Sequence, residues 1–302
     1  EELVAKEDYK EEKDQLVARL MLLQQRAHQA NVPIILVFEG WDASGKGGRI
    51  SDLAVNLDPR MFNVYSIEKP VGHEKRAPFM ARFWSKVGAH GTMTIFDRSW
   101  YSRAAKLFVE ADEAKRDKFR QEEFGLTKDN RSLPYGGVEG GEIEAITASM
   151  VSFEKQFADD GYIICKFFLH ISKEEQLKRL KRLASNEETK WRATKSDFRE
   201  NENYDKYYEI IDSYLERTNY PFAPWHVISG MDNRAANLEI LRILIDAIER
   251  GLGRQAVRDS LDKEAVVNES KSATADGLVS TFPLVKVPCL DDMAYDNVID
   301  NE

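Results

Sequence analysis

The sequence predicts an α/β protein built in three layers, with a mostly parallel sheet covered by helices on both faces. Three observations predict it. Apolar runs of strand length alternate with amphipathic stretches of helix length along most of the chain. The runs, Ile34-Ile-Leu-Val-Phe38 first among them, are continuously apolar, as strands buried on both faces are. That first run leads directly into a glycine-rich turn, Gly40-Trp-Asp-Ala-Ser-Gly-Lys-Gly-Gly48, which opens a helix.

The elements follow in order. Residues 8–29 read as a helix, because Leu16, Leu20, Leu23 and Ala27 recur on one face and Asn31-Val-Pro33 stops it. That face can pack on the sheet or on another subunit, and a homo-oligomer is expected. Strand 34–38, the glycine-rich turn and helix 46–57 come next, with Ile50, Leu53 and Leu57 facing inward. Phe62-Asn-Val-Tyr-Ser-Ile67 reads as the second strand, 77–88 as a helix carrying Phe79, Phe83 and Trp84, and 92–96 as a strand ending in Asp97. Residues 110–141 are charged and then turn-rich, and read as a surface insertion or as a short helix plus loop. Helix 142–159 precedes the most apolar strand, Tyr162-Ile-Ile-Cys-Lys-Phe-Phe-Leu169. Ser172 and Glu175 form the pattern of a capping box for helix 173–184. Residues 185–202 are polar, and helix 203–218 leads through Pro221 and Pro224 to a short strand, Trp225-His-Val-Ile228. A last helix, 233–250, is expected to end near Gly251, and 255–302 lose periodicity and read as a linker or tail. No internal repeat is visible.

The chain has 302 residues, 42% of them hydrophobic, enough for one large α/β domain or two small ones. Its net charge of −9 argues against general nucleic-acid binding, which is driven by counterion release from phosphates. A polyanion has to be met by a local basic patch. The cysteines are Cys165 and Cys289, and Cys165 lies in an apolar run, so a buried free thiol and a reducing, cytoplasmic setting are expected. No stretch approaches the roughly 18 apolar residues of a membrane span, and no signal peptide is visible. The chain opens at Glu1 without Met, so residues upstream are expected.

Gly40, Gly45 and Lys46 match the spacing G-x-x-x-x-G-K. Glycines let the backbone curl until successive N–H groups face one anion, the lysine adds a mobile positive charge, and the helix contributes its N-terminal partial charge. Polyphosphates or nucleotides are the substrate class this implies. Gly47 stands where Ser or Thr usually reaches Mg²⁺. Asp42, inside the loop, would repel phosphate unless a cation sat between them, so it is the natural magnesium ligand. Asp97, at the end of Met93-Thr-Ile-Phe96, is the second candidate. In a parallel sheet the loops after Phe38, Ile67, Phe96 and Ile228 line one rim, where ligands bind.

At these residues the chain resembles the family-2 polyphosphate kinases. The loop at 40–48, with aspartate inside it and glycine after the lysine, is similar to that family's phosphate loop. Asp97-Arg-Ser-Trp-Tyr-Ser-Arg103 resembles its second motif. Lys166-Phe-Phe-Leu-His-Ile-Ser172, Glu174-Glu-Gln-Leu-Lys-Arg179, Trp191, Asp197, Tyr204-Asp-Lys-Tyr207, Thr218, Ala223-Pro-Trp225 and Asp232-Asn-Arg-Ala-Ala-Asn237 continue the match in order over roughly 8–250. The resemblance implies a phosphate-loop kinase-like fold with a helical lid, here about 178–210 in a catalytic domain of 1–254. It implies phosphoryl transfer between inorganic polyphosphate and a nucleotide, with Mg²⁺.

By position, the resemblance gives the metal to Asp42 and Asp97. It gives the phosphate cradle to Lys46 and the backbone of Ala43, Ser44, Gly45, Gly47 and Gly48, and charge neutralisation to Arg98 and Arg103. Arg179 and Arg182 of the lid, and Lys69 after the second strand, are the further phosphate contacts. Many members carry Pro-Thr and acidic residues where this chain has Pro70-Val-Gly-His-Glu74, so the acceptor contacts there differ. Thr281–Leu290 and the acidic stretch to Glu302 are similar to the linker of tandem members. That reading makes the chain one repeat of a longer protein and AMP the acceptor; the alternative is a plain tail. Other functions left open are a nucleoside diphosphate acceptor, ADP or GDP, and a weakly active polyphosphate-binding repeat. Asp42 and Gly47 argue against an ATP-dependent kinase on the same fold. Trp84, Trp100, Trp225 and His170 are read as packing residues, and Asp205 and Asp232 as caps or lid anchors.

Overall fold

The computed structural model describes residues 6–109, 118 and 142–273. Five strands, β1 (Ile34–Gly40), β2 (Phe62–Ser66), β3 (Met93–Asp97), β4 (Ile163–His170) and β5 (Trp225–Ser229), form one sheet in the order β2-β3-β1-β4-β5. Every neighbouring pair is parallel. The α-helices are α1 (Lys6–Gln29), α2 (Lys46–Asn56), α3 (Ala81–Trp84), α4 (Trp100–Val109), α5 (Glu142–Asp159), α6 (Lys173–Ala184), α7 (Lys195–Glu202), α8 (Tyr204–Arg217) and α9 (Asn233–Ala273).

The two-residue period of the strands divides the core. Leu36, Phe38, Ile95, Cys165 and Phe167 join Leu20, Leu23 and Ala27 of α1, Ile50 and Leu53 of α2 and Leu244 of α9 in one apolar layer. Ile35, Val37, Phe96, Ile164 and Phe168 join Trp100 and Tyr101 of α4, Ile146 and Phe153 of α5 and Tyr214 of α8 in the other. The apolar face of α1 is therefore spent on the sheet. Cys165 is buried, and burial pushes its thiol up to about 12. Among the described residues no helix is long and apolar enough to cross a membrane.

Three expectations need correction. The helix expected over 77–88 shrinks to Ala81–Trp84, because Pro78 precedes it and the chain then tightens, with Lys86 N–H on Phe83 O and Val87 N–H on Trp84 O. The helix expected to stop near Gly251 continues to Ala273, so the residues up to there are not an aperiodic tail. Gly251 is not a terminator: a Cβ there would overlap the Ile163 side chain, so the glycine lets α9 lie close against β4. The capping box at α6 is half made. Ser172 Oγ accepts from Glu175 N–H at 3.2 Å, but the Glu175 carboxylate turns to Arg179 instead of reaching back. The segment 110–141 lies outside the described residues except Lys118.

The contact pattern groups residues 1–255 as one unit and 256–302 as a second. Within the first, β1 is central. The chain leaves it for β2, returns through β3, and crosses to β4 on the other side. The C-terminal end of β1 is thus the switch point where ligands bind in such sheets, and the glycine-rich turn sits there.

Candidate active site

The turn after β1 is shaped by close backbone packing. Gly40 has φ 132° and a Cβ there would run into Leu169 O of β4. Ala43 (φ 62°) and Gly45 (φ 100°) take left-handed conformations that curl the chain into α2. Lys46 is buried and its ammonium folds back over the turn, donating to Gly40 O at 2.5 Å and Trp41 O at 2.8 Å. Gly47 and Gly48 are exposed, and a Cβ at either would meet nothing within 4 Å. Their lack of side chains is no packing requirement; it leaves the first helical N–H groups open to an anion. Ser44 Oγ is buried without a hydrogen-bond partner, an orphaned hydroxyl in the turn itself.

The second motif is tied to this turn. Arg98, at φ 63°, donates its N–H to Phe38 O at 3.0 Å and its Nη2 to Asp42 Oδ1 at 2.6 Å. Burial would raise the Asp42 carboxyl, but Lys46 and then Arg98 outweigh it and hold it below the usual carboxylate range. Burial would likewise lower Arg98, and Asp42 foremost, with Asp97, keeps it charged. Asp97 ends β3 level with Phe38 and Ser66 on the same rim. Beneath them Glu39 is buried and accepts from Ser99 N–H (2.8 Å), Ser99 Oγ–H (2.6 Å) and Ser102 N–H (3.1 Å), fixing the start of α4 to β1.

From α4 two further cations project. Arg103 is buried, and burial, then Arg82 and Arg98, push it down to about 10. Lys106 is lowered by burial and then by Arg103 and Arg98. Cations gathered this closely repel one another and favour an anion among them. Neither Lys106, which lines the cleft, nor its neighbour in this cluster Arg82, whose Nη2 donates to Glu68 O at 2.5 Å beside Glu74, was legible as part of a site. The available signal for Lys106 was its place one helical turn after Arg103; for Arg82, a cation set among aromatics in Arg82-Phe-Trp84.

The segment over the turn contributes two carboxylates, Asp197, which the resemblance includes, and Glu200, which sequence reasoning missed. Glu200 of α7 accepts from Asp42 N–H at 3.1 Å and from Gln176 Nε2–H at 3.1 Å, and Gln176 donates to Asp42 O at 3.2 Å. Burial, then Asp42, pushes Glu200 up to about 7 and also raises Asp197. Trp41 stacks on Tyr204 of α8 with centroids 3.9 Å apart, and its Nε1–H donates to His170 Nδ1. His170 is thus a satisfied packing residue. Asp42, Arg98, Ser102, Lys106 and Glu200 line a cleft of about 470 Å³, solvent at its mouth included, whose other wall is aromatic and apolar.

Arg179 does not reach that cleft, contrary to expectation. Its guanidinium donates to Ala43 O (3.4 Å), Ser44 O (3.3 Å), Gly230 O (2.8 Å) and Met231 O (3.4 Å), and its Nε–H to Glu175 (2.7 Å). It braces the turn from beneath. Arg182 and Lys69 are exposed and are not among the cleft residues.

The oxygen donors fit a hard cation. Asp42, Asp197 and Glu200, which interact with one another, offer carboxylate oxygen only, and Asp97 sits on the same rim. Among the described residues no three acidic, His or Cys groups close a cage. Mg²⁺ asks for less: it takes one or two carboxylates and completes its shell with water and substrate phosphate.

A parallel sheet with a glycine-rich anion-binding turn at its switch point, faced by a cationic helix, defines a phosphate-loop kinase-like protein. The polyphosphate kinase 2 family model matches residues 3–122 and 136–255, and the chain belongs to that family. It is 32% identical over 244 residues to a polyphosphate:AMP phosphotransferase of Pseudomonas aeruginosa, a match covering 81% of this chain and 44% of that protein. It is 28% identical to an NDP-polyphosphate phosphotransferase of Ruegeria pomeroyi, covering 82% of this chain and 74% of the other. The structure of a polyphosphate kinase 2 from Arthrobacter aurescens superposes with TM-score 0.68 at 26% identity, over 82% of this chain and 80% of that one. The chain spans less than half of the AMP-using relative it matches.

Proposed function

We propose that this chain transfers a phosphoryl group from inorganic polyphosphate to AMP, giving ADP and a polyphosphate one unit shorter, and runs the reverse reaction. The observation that carries this reading is the Asp42–Arg98 contact: a phosphate loop with its own carboxylate, joined to a helix that presents Arg103 and Lys106.

Lys46 and the N–H groups of residues 43–48 hold a polyphosphate unit. Arg98 and Arg103 face the transferred group and neutralise the charge spread over its oxygens. Lys106 and Arg82 hold the acceptor's phosphate. An AMP phosphate oxygen, already ionised at neutral pH, attacks in line, so no protein nucleophile or base is needed. Asp42 and Asp97, with Asp197 close by, hold Mg²⁺, which when bound supplies charge neutralisation between the phosphates. Lys69 and Arg182 serve as outer contacts for the polymer. AMP is favoured over ADP or GDP because the more similar of the two curated relatives is an AMP phosphotransferase. Because the chain spans 44% of that relative, we read it as one repeat of a longer protein.

The test is a transfer assay with Mg²⁺ and polyphosphate, offering AMP, ADP, GMP and GDP separately. ADP from AMP supports the proposal. ATP from ADP with nothing from AMP transfers the chain to the diphosphate acceptors. No product from any acceptor, with polyphosphate still bound, makes it a binding repeat.

A further inference from the structure

The most buried ion pair of the described residues lies outside the cleft. Lys166 of β4 and Glu154 of α5 are 0% and 1% exposed and 2.7 Å apart. We propose that this pair is a positioning device for the cleft, fixing the separation of α4 and α8, the two helices that wall it. The proposal rests on the phosphotransferase reading above.

The geometry is the argument. The Lys166 ammonium has three N–H donors and all are used: Glu154 Oε2 at 2.7 Å, Tyr101 Oη at 3.1 Å and Thr218 O at 2.8 Å. Tyr101 belongs to α4, three residues after Arg98. Thr218 is the C-cap of α8, whose Tyr207, Ile211 and Tyr214 form the apolar wall. One ammonium therefore touches both walls. Glu154 completes the circuit by accepting from Tyr101 Oη–H at 2.7 Å and Trp100 Nε1–H at 3.2 Å, both on α4. On the α8 side Thr218 Oγ1 accepts from Trp225 Nε1–H at 2.9 Å. Tyr101 and Tyr214 stack between the walls, centroids 5.6 Å apart.

Stability does not explain such a pair. Burial raises Glu154 and lowers Lys166, each against the pull of the other. Well-packed apolar residues of similar volume usually serve a core as well or better. What apolar residues lack is direction: three bonds from one atom set the positions of three helices and a strand together. Phosphoryl transfer depends on placing cations around a moving group, and a shift of about 1 Å can cost about a hundredfold in rate.

The test compares the full chain with three variants: Lys166→Met, the double Lys166→Met/Glu154→Leu, and Tyr101→Phe. Each is read by melting, turnover, polyphosphate binding without acceptor, and hydrogen exchange of residues 100–109 and 204–217. The single Lys166→Met variant leaves Glu154 buried without its cation and melts about 10 °C lower. The double variant removes both charges but leaves the Trp100 and Tyr101 donors and the Thr218 carbonyl without their partners, and melts between the single variant and the parent. Its kcat falls about a hundredfold, its polyphosphate Kd stays within about threefold, and its α4 and α8 amides exchange faster. Parental kcat and exchange in the double variant overturn the proposal. If the double variant does not fold, Tyr101→Phe decides: it melts a few degrees lower because Lys166 and Glu154 each lose a buried bond, and kcat about tenfold lower with the polyphosphate Kd within about threefold supports the proposal, whereas unchanged kcat overturns it. If the parent itself shows no turnover, the phosphotransferase reading fails separately and the exchange data alone decide the positioning role.

Discussion

Arg98 Nη2 lies 2.6 Å from Asp42 Oδ1, although the residues stand on different strands' exits, 56 positions apart. The contact makes the phosphate loop and the second motif one electrostatic unit. In the free protein Asp42 is held ionised by Lys46 and Arg98, the two cations that would otherwise face phosphate. On the proposed reading, substrate phosphate competes with Asp42 for Lys46 and Arg98, and gains if a divalent cation takes over Asp42.

Asp97→Asn tests the rim carboxylate. If Asp97 shares the metal, turnover falls by about a thousandfold while polyphosphate binding survives, because the loop amides and Lys46 are untouched. Steady-state kinetics beside a binding titration checks this. Unchanged turnover removes Asp97 from the metal site.

Arg179 and Arg182 are one turn apart on α6, yet their substitutions are expected to differ in kind. Arg179→Met strips the donor from the carbonyls of Ala43, Ser44, Gly230 and Met231. Losing charge-assisted bonds to buried carbonyls costs about 2 kcal/mol, or roughly 5 °C in melting temperature for a chain of this size. Arg182→Ala leaves the melting temperature within about 1 °C. If Arg179→Met melts normally and only the polyphosphate KM rises, the arginine is a substrate contact after all.

What was legible in the sequence was local. The turn at Gly40–Gly48, the strand ending at Asp97 and the buried Cys165 each declare themselves within a few residues, because backbone curling and strand burial are short-range demands. The parallel sheet follows from continuously apolar strands. The bonds of Arg179 to the carbonyls at Gly230 and Ser44 were not legible, because helical spacing says which residues share a face but not that the β5 exit, at Gly230, lies against that face. Glu200 was missed because its meaning depends on Asp42, 158 positions away. Gly251 shows the same limit from the other side. A glycine near a helix end reads as a stop, and only the Ile163 side chain against it shows a close approach instead.

Glu200 gives the free protein a pH signature. Its folded pKa, about 7, lies above the ordinary value of 4.5, so the folded state holds a proton that the unfolded chain has released between those values. Its contribution is fully present below about pH 4.5 and is lost as pH rises to about 7, so stability falls across that window. The size is at most about 3 kcal/mol. Glu200→Gln, which keeps an acceptor for Asp42 N–H but cannot ionise, is expected to melt like the parent at pH 4.5 and above it at pH 7.5, both in EDTA. Parallel melting curves for the two proteins from pH 4.5 to 7.5 would sink this assignment.

Lys106→Met separates holding an anion from holding the fold. The ammonium is pressed by burial, then by Arg103 and Arg98, and only partly relieved by Asp42 and Glu200. Methionine keeps the apolar stem along α4 and removes the repulsion, so the free protein should gain stability, by up to about 1 kcal/mol. If the gathered cations are the acceptor's phosphate site, the same change weakens AMP binding, and its KM rises about tenfold while the polyphosphate KM stays level. A residue kept for structure loses stability when replaced, whereas one kept for a charged ligand can gain it and still lose function. Melting curves with and without AMP, set beside the two KM values, read both sides. A lower melting temperature with both KM values unchanged would make Lys106 an ordinary packing residue and remove it from the acceptor site.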